Sequence, residues 1–393
     1  MRPFEGVRVL DFSRVVSAPY CTQMLGFLGA EIIKIEDREK GDSVRTGAGI
    51  DELKKRGLAS AYLMFNAGKK SVTLVMKFAA SCDVVVENFR PGVMKRLGFD
   101  YESLRKANPR LIYCSVSGYG QTGPDAEVAA FDGNIQAMSG MMAMSGEPNG
   151  PPMRAGYTVA DTATGLNAAV AISAALYQRD RLPREQQRGQ YIDVAMLDCG
   201  MSLTSQLAAP LLTGGIKPRR RANLSINFEP TADVYKTADG SVQLAIMREN
   251  HIRIFFKLMG LDHLNSDPRG TSREARVANT AWIHGLVQDE FMKAGTAQWK
   301  LRLDEAKVPW APVLDLADAV EQPQVKHRRF VLETPEPETG ITMRTFNAPF
   351  QFEHDGPRPS FPPQRLGAQN EELLGSLGYT SAQIAELKKN QVI

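Results

Sequence analysis

The stretch that decides the fold is VRVLDFSRVVSAPYCTQMLGFLGAEIIKIE, residues 7–36. VRVLDF (7–12) is a short β-type run, PYCTQMLGFLGA (19–30) carries apolar residues at helical spacing, and EIIKIE (31–36) is again a strand. This is a βαβ unit. Further strand-like runs follow at SVTLVM (71–76), DVVVEN (83–88), LIYCSVSGYG (111–120) and YIDVAM (191–196), separated mostly by helical patterns. Short buried strands alternating with helices predict an α/β fold with a Rossmann-like, doubly wound parallel sheet. One joint breaks the pattern, because only residues 77–82 separate SVTLVM from DVVVEN, and a parallel crossover takes roughly a dozen residues or more. A changed local topology or a lost element is expected there.

Beyond residue 200 the texture changes. EPTADVYKTADGSVQLAIM (229–247) reads as two strands joined by a turn at 238–240, followed by helices to about residue 306, which predicts a smaller α+β domain. From residue 308 the chain is Pro-rich and loop-like, closing in two short helices within 367–393.

Bulk composition excludes several function classes. The 393 residues are 43% hydrophobic and 23% charged, ordinary globular values. With 47 basic against 44 acidic residues, the net charge of +3 gives no general affinity for nucleic acid. Cys21, Cys82, Cys114 and Cys199 form no CxxC pair, and the five histidines, first met at His251, show no metal-ligand spacing, so no metal site is expected. The N-terminal MRPFEGVRVLDF has no apolar leader and no window approaches a membrane span, so a soluble cytoplasmic protein with no membrane partner is expected. No GxGxxG marks the first βα joint and no GxSxG elbow is present, which disfavours dinucleotide and serine-hydrolase chemistry.

Positive loops near strand ends remain. Arg38 follows the second strand, FNAGKK places Asn66, Lys69 and Lys70 before the third, and VENFRPGVMKRLGF places Asn88, Phe89, Arg90 and Arg96 after the fourth. Together they suit a phosphorylated ligand; singly, each is as well explained as a solvated charge. A second feature is RAGYTVADTATGLNAAVAISAAL (154–176), where one carboxylate, Asp161, stands at the entrance to a helix of small apolar residues. Helix capping alone would explain it.

In their order, DFSRVVSAPYCTQMLGFLGAEIIKIE, FNAGKKSVTL, VENFRPGVMKRLGF, NPRLIYCSVSGYGQTGP, AFDGNIQAMSG, GEPNGPPMRAGYTVADTATGL, RGQYIDVAM and LGYTSAQIAEL resemble the class III CoA-transferase family, which includes formyl-CoA, carnitine and succinyl-CoA-dependent CoA-transferases, over nearly the whole chain. The resemblance implies transfer of coenzyme A from an acyl-CoA to a free carboxylic acid, with CoA and acyl-CoA as substrates and no permanently bound cofactor. It makes Asp161 the nucleophile and places Arg38, Asn66, Lys69, Lys70, Asn88, Phe89, Arg90 and Arg96 on CoA-contacting segments. Val16 and Ser17 are expected near the thioester and Asp132 close to the active site. The small residues Ala163 and Gly165 are expected to leave room for the thioester, and the helix N-terminus to favour an ionised Asp161 and stabilise developing charge.

The resemblance also implies a homodimer of two interlocked ring-like chains. Each would have a large Rossmann-like domain (1–204, completed by 341–393), linkers at 205–228 and 307–340, and a small domain at 229–306. Val16 stands where the oxalate-specific branch carries Gln, and that branch's glycine run is absent near NLSINFEPTADVYK, so a less polar acyl group is expected; Arg and Lys residues near the expected cleft make a small dicarboxylic acid such as succinate a reasonable substrate, with donor and acceptor left open. Two alternatives accompany this reading. An α-methylacyl-CoA racemase shares the fold but needs a His just before Asp132, where Ala130 and Phe131 stand. An inactive CoA-binding paralogue is suggested by the short joint.

Overall fold

A computed structural model of the chain describes residues 1–73 and 81–393. Six strands, β1 (Arg8–Asp11), β2 (Glu31–Ile35), β3 (Lys69–Val72), β4 (Val84–Glu87), β5 (Ile112–Ser117) and β6 (Tyr191–Ala195), form one sheet in the order β3-β2-β1-β4-β5-β6. Every neighbouring pair is parallel. The mixed α/β class and the parallel sheet therefore match the reading of residues 7–36.

Because successive strand side chains point to opposite faces, the sheet is apolar on both. Val9, Val84, Val86, Ile112 and Cys114 face one way, packed with residues of the helices Ser17–Phe27 and Val159–Asp180. Leu10, Ile33, Val85 and Tyr113 face the other, packed with Met94 and Leu104 and with Leu373 of the C-terminal helix Asn370–Ser376. The two long helices meet closely. A Cβ built on Gly165 would lie 2.4 Å from the Ser17 carbonyl oxygen and 3.2 Å from the Tyr20 side chain, so only glycine permits this crossing.

Two expectations about the sheet change. β3 begins at Lys69, two residues before the apolar run, because Lys69 and Lys70 find carboxylate partners that sequence periodicity does not reveal. The connection from β3 to β4 is then residues 73–83, of which 74–80 lie outside the described residues. The topology is not altered: β3 and β4 are separated by β2 and β1, in the order of a doubly wound nucleotide-binding sheet. An extended chain gains up to ~3.3–3.6 Å per residue, so eleven residues reach roughly 36 Å, enough to cross three strand spacings of ~4.8 Å and return along a short strand.

The chain divides into two compact units: residues 1–141, 154–214 and 323–393 in one, 142–153 and 215–322 in the other. In the second, β7 (Val234–Lys236), β8 (Ser241–Leu244) and β9 (Trp310–Pro312) form an antiparallel sheet. Its core gathers Tyr235, Leu244, Phe255, Phe291 and Trp299. The loop-like reading from residue 308 is corrected twice. Trp310–Pro312 is a strand at a sheet edge, where proline is tolerated. In the first unit, β10 (Val331–Pro335) and β11 (Thr342–Phe346) form a hairpin. The two closing helices, Asn370–Ser376 and Ser381–Lys389, are present.

Among the described residues one helix, Val159–Asp180, is long and apolar enough to cross a membrane, contrary to expectation. Its apolarity serves the core instead, with Ala168, Ile172 and Leu176 buried under the sheet.

Candidate active site

In a sheet of this order, ligands bind outside the carboxyl ends of the strands where the winding reverses, here between β1 and β4. A cleft of about 430 Å³ opens at that point, lined by Arg14, Val15 and Ser17 after β1, Asn88 to Pro91 after β4, Ser117 and Gly118 at the end of β5, and Asp161. The two loops are tied together: the Arg14 N–H donates to Asn88 Oδ1 and the Asn88 amide donates back to the Arg14 carbonyl, both at 2.8 Å. The Arg14 guanidinium lies 5.0 Å from the Phe89 ring centroid, a cation–π distance. Gly118 permits the approach of the opposite wall, since a Cβ there would lie 2.4 Å from the Ala130 Cβ.

Asp161 sits in the first turn of the helix Val159–Asp180, whose N-cap Thr158 makes no side-chain cap. The cap comes from Asp132, 29 residues earlier. One of its carboxylate oxygens accepts from the Ala160 N–H at 2.8 Å and the Asp161 N–H at 3.1 Å; the other accepts from the Gln136 amide at 2.5 Å. Asp161 therefore lies partly buried beside a second carboxylate, with the Ser17 hydroxyl as hydrogen-bond donor. Burial, then the Asp132 charge, push its carboxyl up to about 7, and Ser17 opposes the shift. Three features of the expected site are corrected here. The first-turn N–H groups of Ala160 and Asp161 already serve Asp132, so they are not free donors for developing charge. The helix dipole does not hold Asp161 well below the ordinary carboxylate range, because burial and a like charge outweigh a surface-type dipole effect of about 0.3–1 kcal/mol. Nor does Gly165 leave room for a thioester: the Ser17 carbonyl and Tyr20 occupy its open side, and Ala163 is itself buried.

The remaining residues singled out from sequence divide into three groups. Ser17, Asn88, Phe89, Arg90 and Asp161 line the cleft; Val16, buried as N-cap of the helix Ser17–Phe27, and Asp132 stand directly behind it. Arg38, half-buried and paired with Glu39, and Arg96, exposed on the helix Val93–Leu97, lie on adjoining segments outside the lining. Asn66, Lys69 and Lys70 do not join the site. Asn66 is sealed, its amide donating to the Tyr62 carbonyl. Lys69 is buried, 3.1 Å from Asp11 Oδ2 and donating to the Pro19 carbonyl at 2.8 Å; burial pushes its ammonium down to about 8 against the pull of Asp11. Lys70 reaches Glu31 and Glu372 and lines a separate pocket with Arg8 and Asp83, at the amino ends of the strands. Sequence reading missed Arg14, Val15, Ser117 and Gly118; their signal was position alone, immediately after the strand runs that end at Phe12 and within SVSGYG.

Among the described residues, no group of three His, Cys, Asp or Glu is placed to hold a metal ion. A carboxylate with a raised pKa at the ligand crevice of a doubly wound sheet, in a cleft also lined by Arg14 and Arg90, marks a candidate enzyme site. The chain belongs to CoA-transferase family III, whose model matches residues 4–370. It is 33% identical to the succinate–glutarate CoA-transferase of Agrobacterium fabrum, over 95% of this chain and 96% of that protein. It is 36% identical to the acetyl-CoA:oxalate CoA-transferase of Acetobacter aceti, over 84% and 86%. A CAIB/BAIF family protein from Brucella suis superposes with a TM-score of 0.84 at 30% identity, covering 96% of this chain and 99% of that one. The protein is thus a CoA-transferase acting between acyl-CoA and carboxylic acids.

Proposed function

We propose that Asp161 carries the transferred group covalently. The observation behind this reading is a partly buried carboxylate on the wall of the switch-point cleft, hydrogen-bonded by Ser17 and, among the described residues, in no ion pair. The ionised Asp161 attacks the thioester carbonyl; its oxygen forms a bond to the acyl carbon, the C–S bond breaks, and CoA leaves as thiolate, giving a mixed anhydride. The thiolate then attacks the aspartyl carbonyl of the anhydride, releasing the donor as a carboxylate and leaving an aspartyl-CoA thioester. The acceptor carboxylate attacks that thioester, forming a second anhydride and thiolate, and thiolate attack on the acceptor's acyl carbon yields the new acyl-CoA and regenerates Asp161. No net proton moves, so no histidine base is needed.

Arg14, Arg90, Asn88 and Phe89 are proposed to hold the CoA, the cations meeting phosphate and the ring meeting adenine or the pantetheine arm. The relatives act on succinate, glutarate, oxalate and acetyl groups by name, which supports short carboxylic acids as donor and acceptor here. A cytoplasmic homodimer of interlocked chains completes the proposal; four buried free cysteines suit a reducing compartment. Equilibrium sedimentation giving a stable folded monomer would remove the dimer.

Trapping tests the covalent step. Incubation with succinyl-CoA followed by borohydride or hydroxylamine, then peptide mass spectrometry, is expected to mark Asp161. A mark on another residue, or none during active turnover, rejects the reading.

A further inference from the structure

Val15 adopts φ +70°, a left-handed backbone conformation that is sterically costly for a β-branched residue. It lines the cleft, and two residues later Ser17 begins the helix and meets Asp161. What holds it lies beneath. Both oxygens of Asp42 accept from the Val15 N–H at 3.2 Å, and Asp42 itself is buried, 3.1 Å from the Lys34 ammonium. Lys34 also donates to the Ser13 carbonyl at 2.7 Å, while Asp11 accepts from the Ser13 N–H at 2.9 Å. On the outer side, the Asn88 clamp fixes Arg14. Residues 13, 14 and 15 are thus each held by a side chain from another part of the chain.

We propose that Asp42, ion-paired with Lys34, is a positioning residue for CoA transfer: it locks Val15 in the left-handed conformation and so sets where the helix Ser17–Phe27 starts and where the Ser17 hydroxyl meets Asp161. Asp42 is not a cap alone. It does accept from the Val44 N–H at 3.2 Å, closing the short turn Ser43–Thr46, but that turn does not require bonds to a residue 27 positions earlier. A strained conformation at a site persists where its surroundings impose it. Removing the carboxylate lets Val15 relax toward negative φ, carrying Val16 and Ser17 with it.

Glycine visits positive φ freely, which gives a test that loss of stability cannot imitate. Asp42→Ala is expected to lower kcat for CoA transfer by about 100-fold, the scale of an ångström-sized misplacement of reacting groups. Adding Val15→Gly should return kcat at least about tenfold toward the parent, since glycine needs no lock to adopt φ +70°. The melting temperature should stay at or below that of Asp42→Ala, because the Lys34 partner is still missing. If Asp42→Ala fails to fold, Asp42→Asn, which keeps the shape but loses the charge, is compared with Asp42→Asn plus Val15→Gly in the same way. A double variant no faster than its single parent, or Asp42→Ala and Asp42→Asn both as fast as the parent, overturns the proposal. The readout is overall CoA transfer, so its failure is distinct from failure of the covalent Asp161 reading, which trapping decides.

Discussion

Two regions of buried acid flank the cleft, and they are built on opposite rules. Under the first βα joint, Asp11, Glu36 and Asp42 are met by Lys69, Arg45 and Lys34, with ion-pair distances of 3.1, 2.5 and 3.1 Å. There burial would raise the carboxyls of Asp11 and Glu36, yet the surrounding cations and hydrogen bonds win: Asp11 is held below its ordinary value and Glu36 is brought to about 2. At the entrance to the helix Val159–Asp180, Asp132 and Asp161 stand side by side, neither forming an ion pair among the described residues, and Asp161 is pushed up to about 7. Opposite compensation separates the paired carboxylates of the scaffold from the one proposed to react. Charge left unpaired inside a fold costs stability, so where it persists, chemistry is the reason to look for.

Substitution at Asp161 breaks the contrast most sharply. Asp161→Asn should lower kcat by at least ~10³-fold, equivalent to about 4 kcal/mol in the barrier. The same variant should be the more stable protein at pH 8. Asp161 binds its proton more tightly folded than unfolded, so the folded state holds more protons between about pH 4 and 7 and stability falls as pH rises through that window. An amide escapes this penalty, and we expect a gain on the order of 1–3 kcal/mol at pH 8, vanishing near pH 4. Calorimetry across pH that finds the gain larger at pH 4 than at pH 8 would contradict the assignment.

On the compensated side, Lys69→Met should do the reverse. It strands Asp11 without its nearest cation, and breaking a buried pair costs about 3–5 kcal/mol. Because Lys69 is sealed by Asp11 and Pro19, KM for acyl-CoA should change less than about twofold in whatever fraction folds, against the order-of-magnitude rise that losing a phosphate contact worth ~1.5–3 kcal/mol would bring. Denaturant melts and initial rates on the same preparation decide between scaffold and ligand contact.

The contrast also explains what could be read from the sequence. The βαβ start was legible because its apolar positions follow strand and helix periods locally, from Val7 to Glu36. Lys69 was misread because its charge looks like surface until Asp11, 58 positions away, is seen to face it. Asp161 stood out as the lone charge entering an apolar helix, but its partnership with Asp132 spans a loop and carries no periodic signal. Gly165 was read as space for substrate; its meaning lay in the Ser17 carbonyl, supplied by a helix almost 150 residues earlier. Local pattern gives elements, whereas compensation and close approach are tertiary.

Gly165→Ala tests that seam. The added methyl would lie 2.4 Å from the Ser17 oxygen, so the two helices must part. Overpacking of this kind costs about 1–3 kcal/mol. Since the displaced atom belongs to the residue that donates to Asp161, kcat should also fall, by roughly tenfold or more. A crossing that only stabilises the fold would show the melting shift without the rate loss.

The smallest change sharpens the comparison most. Asp132→Asn removes the like charge while keeping an oxygen that can accept from the Ala160 and Asp161 N–H groups, so the helix entrance should lose no more than the ~1 kcal/mol typical of a weakened cap. Its effect belongs to pH. If Asp161 is the nucleophile proposed, transfer in the parent needs it ionised, and activity should fall as pH drops below about 7. The Asp132 charge is the second cause of that raised value, after burial; taking it away should move the acidic limb of the kcat/KM profile toward lower pH without returning it to the ordinary carboxylate range, because burial remains. Near pH 6 the variant would then hold a larger share of its own maximum than the parent does. A limb that does not move would mean that Asp132 is a cap and nothing more, and that burial alone sets Asp161 apart from the paired carboxylates beneath β1.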